Sequence, residues 1–312
     1  MGWWDKLRKK DDGAGPAGEP AGPSPLTDAD RAAIVQQVQR EFAQMGREVV
    51  ADGQGGLRGM DGRAFGTGNL EAQLERLPRD RWHELIANHV RIMDSTIDAP
   101  GPGSLAEVRD RLYLRLRAAS ALPQAPDYDS PVLPGIIGMV TIDHPEHTEE
   151  LGGLSGLGTW DEIRPIALEN IRALPPMRHD PVAADSERTE AVVHVFVTDD
   201  FFGPSRFLAL DQLLEQIGST GQAPGLLVAI PHRHMIAIHE VAGQGTLAAM
   251  NGMVNLANGQ FSSNPGAITP EVFYVAADGH SQQVTHRSDG SVTVRIDGAI
   301  AEAFTALGLI GG

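Results

Sequence analysis

His232 and His234 stand two residues apart in the run PHRHMIAIHE, with His239 following. A His-x-His pair on one strand face can offer two imidazoles to a metal such as zinc. The run DHPEHTEE holds a second set of nitrogen and oxygen donors in His144, His147, Glu149 and Glu150. Either set is compatible with metal-assisted hydrolysis, the enzymatic alternative this sequence allows. Plainer readings stand beside both. Pro231–His234 fits the turn of a hairpin with exposed histidines, and spacing places no third ligand. Pro145 opposes the helix that a His-Glu-x-x-His zinc site requires. No metal or cofactor is therefore assigned.

Ser205 lies in GPSRF at a strand-to-helix connection, but the Gly-x-Ser-x-Gly elbow that exposes a hydrolase nucleophile is missing. The expected role of its hydroxyl is to cap a helix. Asp199 and Asp200 could act as a carboxylate pair, although acids at a strand end more often form turns. The glycine-rich segment 53–69 matches neither the Walker pattern nor the dinucleotide fingerprint, and is expected to be turn-rich. No catalytic residue is assigned.

The elements that must position these residues alternate between helix and strand. Thr27 or Asp28 can cap a helix carrying Ile34, Val35, Val38, Phe42 and Met45 at helical spacing, with Gly46 at its end. A second helix is expected from about Asp80, with Trp82, Leu85, Ile86, His89, Val90 and Met93 on one face. A strand is favoured from Leu112, and Ile136–Ile142 reads as a buried strand. Thr159 and Glu162 fit a capping box before a helix to Leu174. Glu190–Thr198 alternates as a strand, and Leu226–Ile230 with Met235–Val241 form a hairpin. Helix Thr246–Ala257, strands Glu271–Ala276 and Ser291–Ile296, and helix Ala299–Leu307 complete the order. On the helix from Thr246, Leu247, Met250, Val254, Ala257 and Phe261 form an apolar stripe expected to be core. Asn251, Asn255 and Asn258 form a neutral polar row suited to docking, because interface centres are depleted of charge.

The composition bounds the function. The chain has 312 residues, a formal charge of −16 and no cysteine. Such acidity argues against nucleic-acid binding. The absence of thiols excludes disulfides, thiolate catalysis and cysteine-ligated metals. Val241–Pro270 carries no charged residue, yet is too polar for a membrane span. All the lysines, Lys6, Lys9 and Lys10, fall within MGWWDKLRKK, and arginine supplies the remaining basic residues. We draw no chemistry from that arginine excess. Trp3, Trp4 and Leu7 with Lys6, Arg8, Lys9 and Lys10 could lie at a membrane surface, anchor in a partner's groove, or form a solvated tail. The start lacks the pattern of a signal peptide, so a cytoplasmic location is expected, with membrane-surface contact through the tip.

The segment ALENIRALP at 167–175, the stretch from Asp200 to Ser205 and Arg206, and AIPH at 229–232 are similar to the YtpQ-like family of uncharacterised bacterial proteins. The resemblance covers roughly residues 134–276 and includes Asn170, Arg172, Asp200, Ser205, Arg206 and His232. It implies no established activity. Element order also resembles the small acidic chaperones of bacterial secretion systems, possible here as tandem units.

The expected fold is α+β, two α/β halves with mixed or antiparallel sheets packed against helices. The expected organisation is a disordered basic tip and Gly/Pro linker at 1–26, an N-terminal α/β domain at 27–121 and a C-terminal one at 132–312. The expected function is a non-catalytic cytoplasmic binding or adaptor protein with an unknown protein partner and weak membrane-surface contact. Metal-assisted hydrolysis and secretion-type chaperoning are the alternatives.

Overall fold

The structure, a computed structural model, describes residues 26–51, 56–59, 64–66, 68–97, 103–122, 124–144, 148–264, 266–288 and 291–311. The fold is α+β. The chain divides into a unit ending at Val90 and a unit from Arg91 to Gly312.

In the first unit, helix α1 (Asp28–Gln44) opens with a reciprocal capping box. Thr27 Oγ1 accepts from the Asp30 N–H, and the Asp30 carboxylate accepts from the Thr27 N–H at 2.9 Å. Ile34, Val38 and Phe42 are buried as their spacing predicts, whereas Met45 is exposed because the helix has already ended there. Gly46, at φ +77°, turns the chain out of the helix, a conformation that costs glycine little. Strands β1 (Val49–Ala51), β2 (Gly56–Gly59) and β3 (Ala64–Gly66) pair antiparallel in that order. Helix α2 (Gly68–Leu74) follows, and α3 (Trp82–Ile97) runs through the unit boundary.

The second unit contains two antiparallel sheets of four and six strands, with a small hairpin. After the short helix α4 (Leu105–Val108), β4 (Leu112–Ala118) pairs with β6 (Ile136–Asp143) along its whole length. The proline-rich segment 122–131, expected to separate domains, instead connects two strands of one sheet. Pro131, at its end, already pairs with Ile137 of β6. β5 (Pro131–Leu133) and β7 (Thr148–Glu150) also pair with β6. Helix α5 (Trp160–Ala173) packs Ile163, Ile166, Ala167 and Ile171 with Leu112, Leu114, Val140 and Ile142. Its Thr159–Glu162 capping box forms as predicted, and Pro165 is accommodated near the helix start.

Tyr128 ties this layer together. Its hydroxyl donates to the Leu151 carbonyl at 2.7 Å and accepts from the Val140 N–H at 2.8 Å. Burial pushes its phenol up to about 12, so the ring stays neutral at any physiological pH. Tyr128→Phe leaves both backbone groups unpaired. We expect a loss of about 1–2 kcal/mol in urea unfolding without loss of the fold; an unchanged midpoint would show that water replaces the hydroxyl.

The larger sheet has the strand order β13-β12-β10-β11-β9-β8. Its members are β8 (Arg178–Ala183), β9 (Val192–Val197), β10 (Gly225–His232), β11 (Met235–Glu240), β12 (Val272–Ala276) and β13 (Ser281–Gln283). Every residue of β10 is buried, so its run LLVAI is continuously apolar rather than alternating. A 3₁₀ helix, Pro204–Ala209, leads into α6 (Leu210–Gln216). Phe196, Val228, Ile230, Ile236, Ile238 and Phe273 share a core with Leu116, Leu133 and Leu213. Helix α7 (Gly245–Ser263) packs against β9, β10 and β11. The hairpin of β14 (Thr285–Ser288) and β15 (Ser291–Val294) and helix α8 (Gly298–Ala306) end the described chain. No helix among the described residues is long and apolar enough to cross a membrane.

On α7 the buried positions are Gly245, Thr246, Ala249, Met250, Met253, Leu256 and Ala257. The predicted stripe is thus displaced around the helix, with Leu247, Val254 and Phe261 only half-buried. Small residues at 249 and 257 let the helix approach the sheet closely.

Candidate functional site

The loop after β9 brings Asp200, Phe201 and Arg206 against the β10–β11 turn. The Asp200 carboxylate accepts from Arg206 Nη1 at 3.1 Å and Nη2 at 2.8 Å. It also accepts from the Thr198 hydroxyl and the Phe202 N–H, each at 2.8 Å. Burial pushes this carboxyl upward, but the Arg206 and Thr198 hydrogen bonds and the guanidinium charge outweigh it and hold the group below the ordinary range. Arg206 is 5% exposed and also donates to the Pro175 carbonyl beyond α5.

The histidines continue this network. His234 Nδ1 lies 2.9 Å from the Asp200 carbonyl, and its Nε2 accepts from Arg233 Nε at 2.8 Å. The second contact requires a lone pair on Nε2, which places the ring proton on Nδ1 as donor to Asp200. Burial and the neighbouring Arg233 charge lower the affinity of His234 for a second proton. His232 Nδ1 accepts from the His234 N–H at 3.3 Å, and its Nε2 faces Gln260 Oε1 at 3.3 Å.

These contacts revise several expectations. His232 is 4% exposed and His234 half-buried, because β10 extends through His232 and the turn folds onto the Phe201 loop. Ser205 does not cap a helix. It lies inside the 3₁₀ helix, 1% exposed, with no partner for its hydroxyl. Among the described residues no base is within hydrogen-bond reach of it.

Asn170 and Arg172 lie on α5, away from that loop. Asn170 donates to the Arg109 and Leu112 carbonyls at 2.7 and 2.8 Å, pinning the start of β4. Arg172 forms a two-pronged pair with Asp211 on α6. Of the six polar residues singled out from 167–232, Asp200, Arg206 and His232 therefore join one network, Ser205 abuts it, and the α5 pair braces the scaffold. A cleft of about 440 Å³ lies beside Arg172, Arg206, Pro175, Met177 and Gln212.

His144 follows β6 rather than entering a helix. Its Nε2 lies 3.1 Å from Glu149, and its Nδ1 lies 3.4 Å from Arg111. Glu149 and Glu150, expected in a polar loop, form part of β7 and pair with β6. His147 lies outside the described residues, as do Trp3, Trp4, Lys6, Arg8, Lys9 and Lys10. Among the described residues, no three His, Asp or Glu side chains are grouped to hold a metal. Asn251, Asn255 and Asn258 are exposed on α7, with Asn258 accepting from Arg287 at 3.1 Å.

Sequence reasoning missed the arginines around Phe201. Arg233 sits 4.5 Å over its ring, and Arg115 from β4 lies 5.9 Å from the same centroid. Arg115 and Arg117 share Glu150, at 3.2 and 2.7 Å. The available signal was Arg233 itself, enclosed between the two histidines that drew attention as ligands. No family model, curated protein or solved structure matches the chain.

Proposed function

We propose that this chain is a non-catalytic binding or adaptor protein related to the YtpQ-like family, whose second unit supplies a rigid recognition surface. The observation that carries this reading is the use made of Asp200, Arg206, His232 and His234. Each is hydrogen-bonded to neighbouring side chains or backbone, with the buried Arg206 Nε left unpaired. A general base needs reach to a substrate proton, and a nucleophile needs such a base. The arrangement instead supports fixed loops, as recognition surfaces require. The neutral row Asn251, Asn255 and Asn258 adds an exposed face of low charge.

We further propose a cytoplasmic location, with the Trp-Trp tip contacting a membrane surface or a second protein. In-cell crosslinking of the tagged full chain and of a chain beginning at Thr27 tests both parts. We expect a stoichiometric protein partner for each, with tip-dependent enrichment or vesicle flotation only for the full chain. Loss of all partners from both chains, with unchanged localisation, would overturn the adaptor reading. Stoichiometric metal in the purified protein, accompanied by hydrolytic turnover, would replace it with the enzymatic alternative.

A further inference from the structure

Phe201 and Arg233 form the polar cluster that the internal network leaves open. Arg233 donates through Nε to His234 and holds its guanidinium carbon 4.5 Å from the Phe201 ring centroid. Among the described residues it has no carboxylate partner. The residue is half-buried rather than enclosed. A guanidinium whose terminal nitrogens have no carboxylate can grip an oxyanion with parallel N–H donors.

The charge around it is unbalanced. Arg115 donates to Thr148 at 3.1 Å and shares Glu150 with Arg117, so one carboxylate serves two arginines while Arg233 has none. Asp200 is committed to Arg206. The exposed Asp199 is close enough to influence His234 and tempers the field without pairing to Arg233. Burial and the Arg115 charge pull Arg233 down to about 10, still cationic at neutral pH. Two like charges are held near one aromatic platform on a chain whose net charge is −16. An arrangement of that kind is relieved by a bound anion.

The backbone is shaped to hold this pair. Gly266, at φ +73°, lies under the Arg233 stem, where an added Cβ would come 2.5 Å from Cδ. Gly203 brings the Phe201 loop so close to the turn that a Cβ would meet the Arg233 carbonyl oxygen at 3.1 Å. The Arg233 N–H donates to the Gly266 carbonyl at 2.9 Å. Both glycines thus let the Arg233 stem and the Phe201 loop pack closely against the turn.

We infer that Arg233, held beside Phe201 with the Arg115 charge nearby, binds a phosphate group, as inorganic phosphate or a small phosphomonoester. Two arginines sharing one glutamate, with Arg233 left without a carboxylate, favour a dianion over a singly charged carboxylate. The site takes its anion whether or not the tip engages a partner, so this inference and the adaptor reading fail separately.

Calorimetry on the full chain at pH 8 tests it, with inorganic phosphate and glycerol phosphate titrated in chloride of matched ionic strength and acetate as the competing anion. We expect saturable one-to-one phosphate binding that Arg233→Gln weakens by about ten- to a hundredfold. Arg233→Lys, which keeps the charge but loses the fork, is expected to weaken it less. Tighter binding of glycerol phosphate identifies an ester as the ligand. Should Arg233→Gln fail to fold in a thermal melt, Arg233→Lys and Phe201→Leu carry the test. No heat beyond the chloride control, equal affinity in the folded Arg233 variants, or acetate binding as tightly as phosphate would overturn the assignment.

Discussion

Asp200→Ala is expected to destabilise the second unit by about 3–5 kcal/mol, because it leaves the Arg206 guanidinium buried without its counter-charge. For a unit of this size the melting temperature should fall on the order of 10 °C. The asymmetry between the partners sharpens this expectation. The Arg206 side chain is 6% exposed and the Asp200 side chain 32% exposed. Water can solvate an abandoned Asp200 far better than an abandoned Arg206. Arg206→Met, which preserves much of the buried stem, should therefore cost less than Asp200→Ala. The double variant should cost less than the two single losses combined, since the pair is lost only once. The folded-state pKa of Asp200 is lowered, so its contribution is complete above its unfolded value near 3.9 and is lost as pH falls through the folded value. The penalty should consequently be the same at pH 8 and pH 6. Thermal melts of the three variants at both pH values decide this. A wild-type melting temperature for Asp200→Ala, or a larger loss in Arg206→Met, would show that the pair does not anchor the loop.

The same loop shows what was legible in the sequence. Local signals read well where a side chain and its partner are close in the chain. The Thr159–Glu162 capping box forms, and Leu112, Leu114 and Leu116 alternate into the core from the predicted strand start. The asparagine row on α7 is exposed as expected, because three-residue and four-residue spacing fixes a helical face whatever packs opposite. Strand β8 escaped notice because Pro181 interrupts its pattern. It is an edge strand, the position where a missing backbone donor is tolerated. The Phe201 site was harder to find for a different reason. Arg115, Glu150, Phe201, Arg233 and Gly266 come from separate strands and loops, and meet only because β4, β7 and the β10–β11 turn are brought together by tertiary packing. Nor could Ser205 be placed from its spacing. Its neighbours suit a helix cap, but the short 3₁₀ turn begins one residue earlier, at Pro204.

Acid sensitivity is the second large expected effect, and it originates in histidines held neutral. His239 is 1% exposed, with Nδ1 2.7 Å from the Val192 carbonyl and Nε2 3.1 Å from the Thr246 hydroxyl. Thr246 Oγ1 already accepts from the Ala242 N–H, so its own hydrogen is available to His239 Nε2 and the imidazole proton belongs on Nδ1. His194 Nδ1 faces His179 Nε2 at 3.0 Å, where one proton can be shared but two would oppose each other. Burial is the largest cause lowering His179, His194, His234 and His239. Below the unfolded value near 6.5, the unfolded chain binds protons that the folded chain refuses. Stability is therefore fully present above that value and declines as pH falls toward the folded values. His239, if it stays neutral, accounts for about 1.4 kcal/mol per pH unit, and the less buried rings add a fraction each. We expect a combined decline of ~2–3 kcal/mol per pH unit below pH 6.5. Urea unfolding from pH 8 to pH 5 measures it. His239→Asn, which can still donate to Val192 but cannot take up a proton in this range, should lower stability at pH 8 and flatten the slope below pH 6.5. Constant wild-type stability between pH 7.5 and 5.5 would mean that these rings accept protons in the folded state as readily as in the unfolded chain. Because the Asp200 penalty is unchanged across this same interval, the two effects separate cleanly: one is a charge pair already formed, the other a charge the core will not admit.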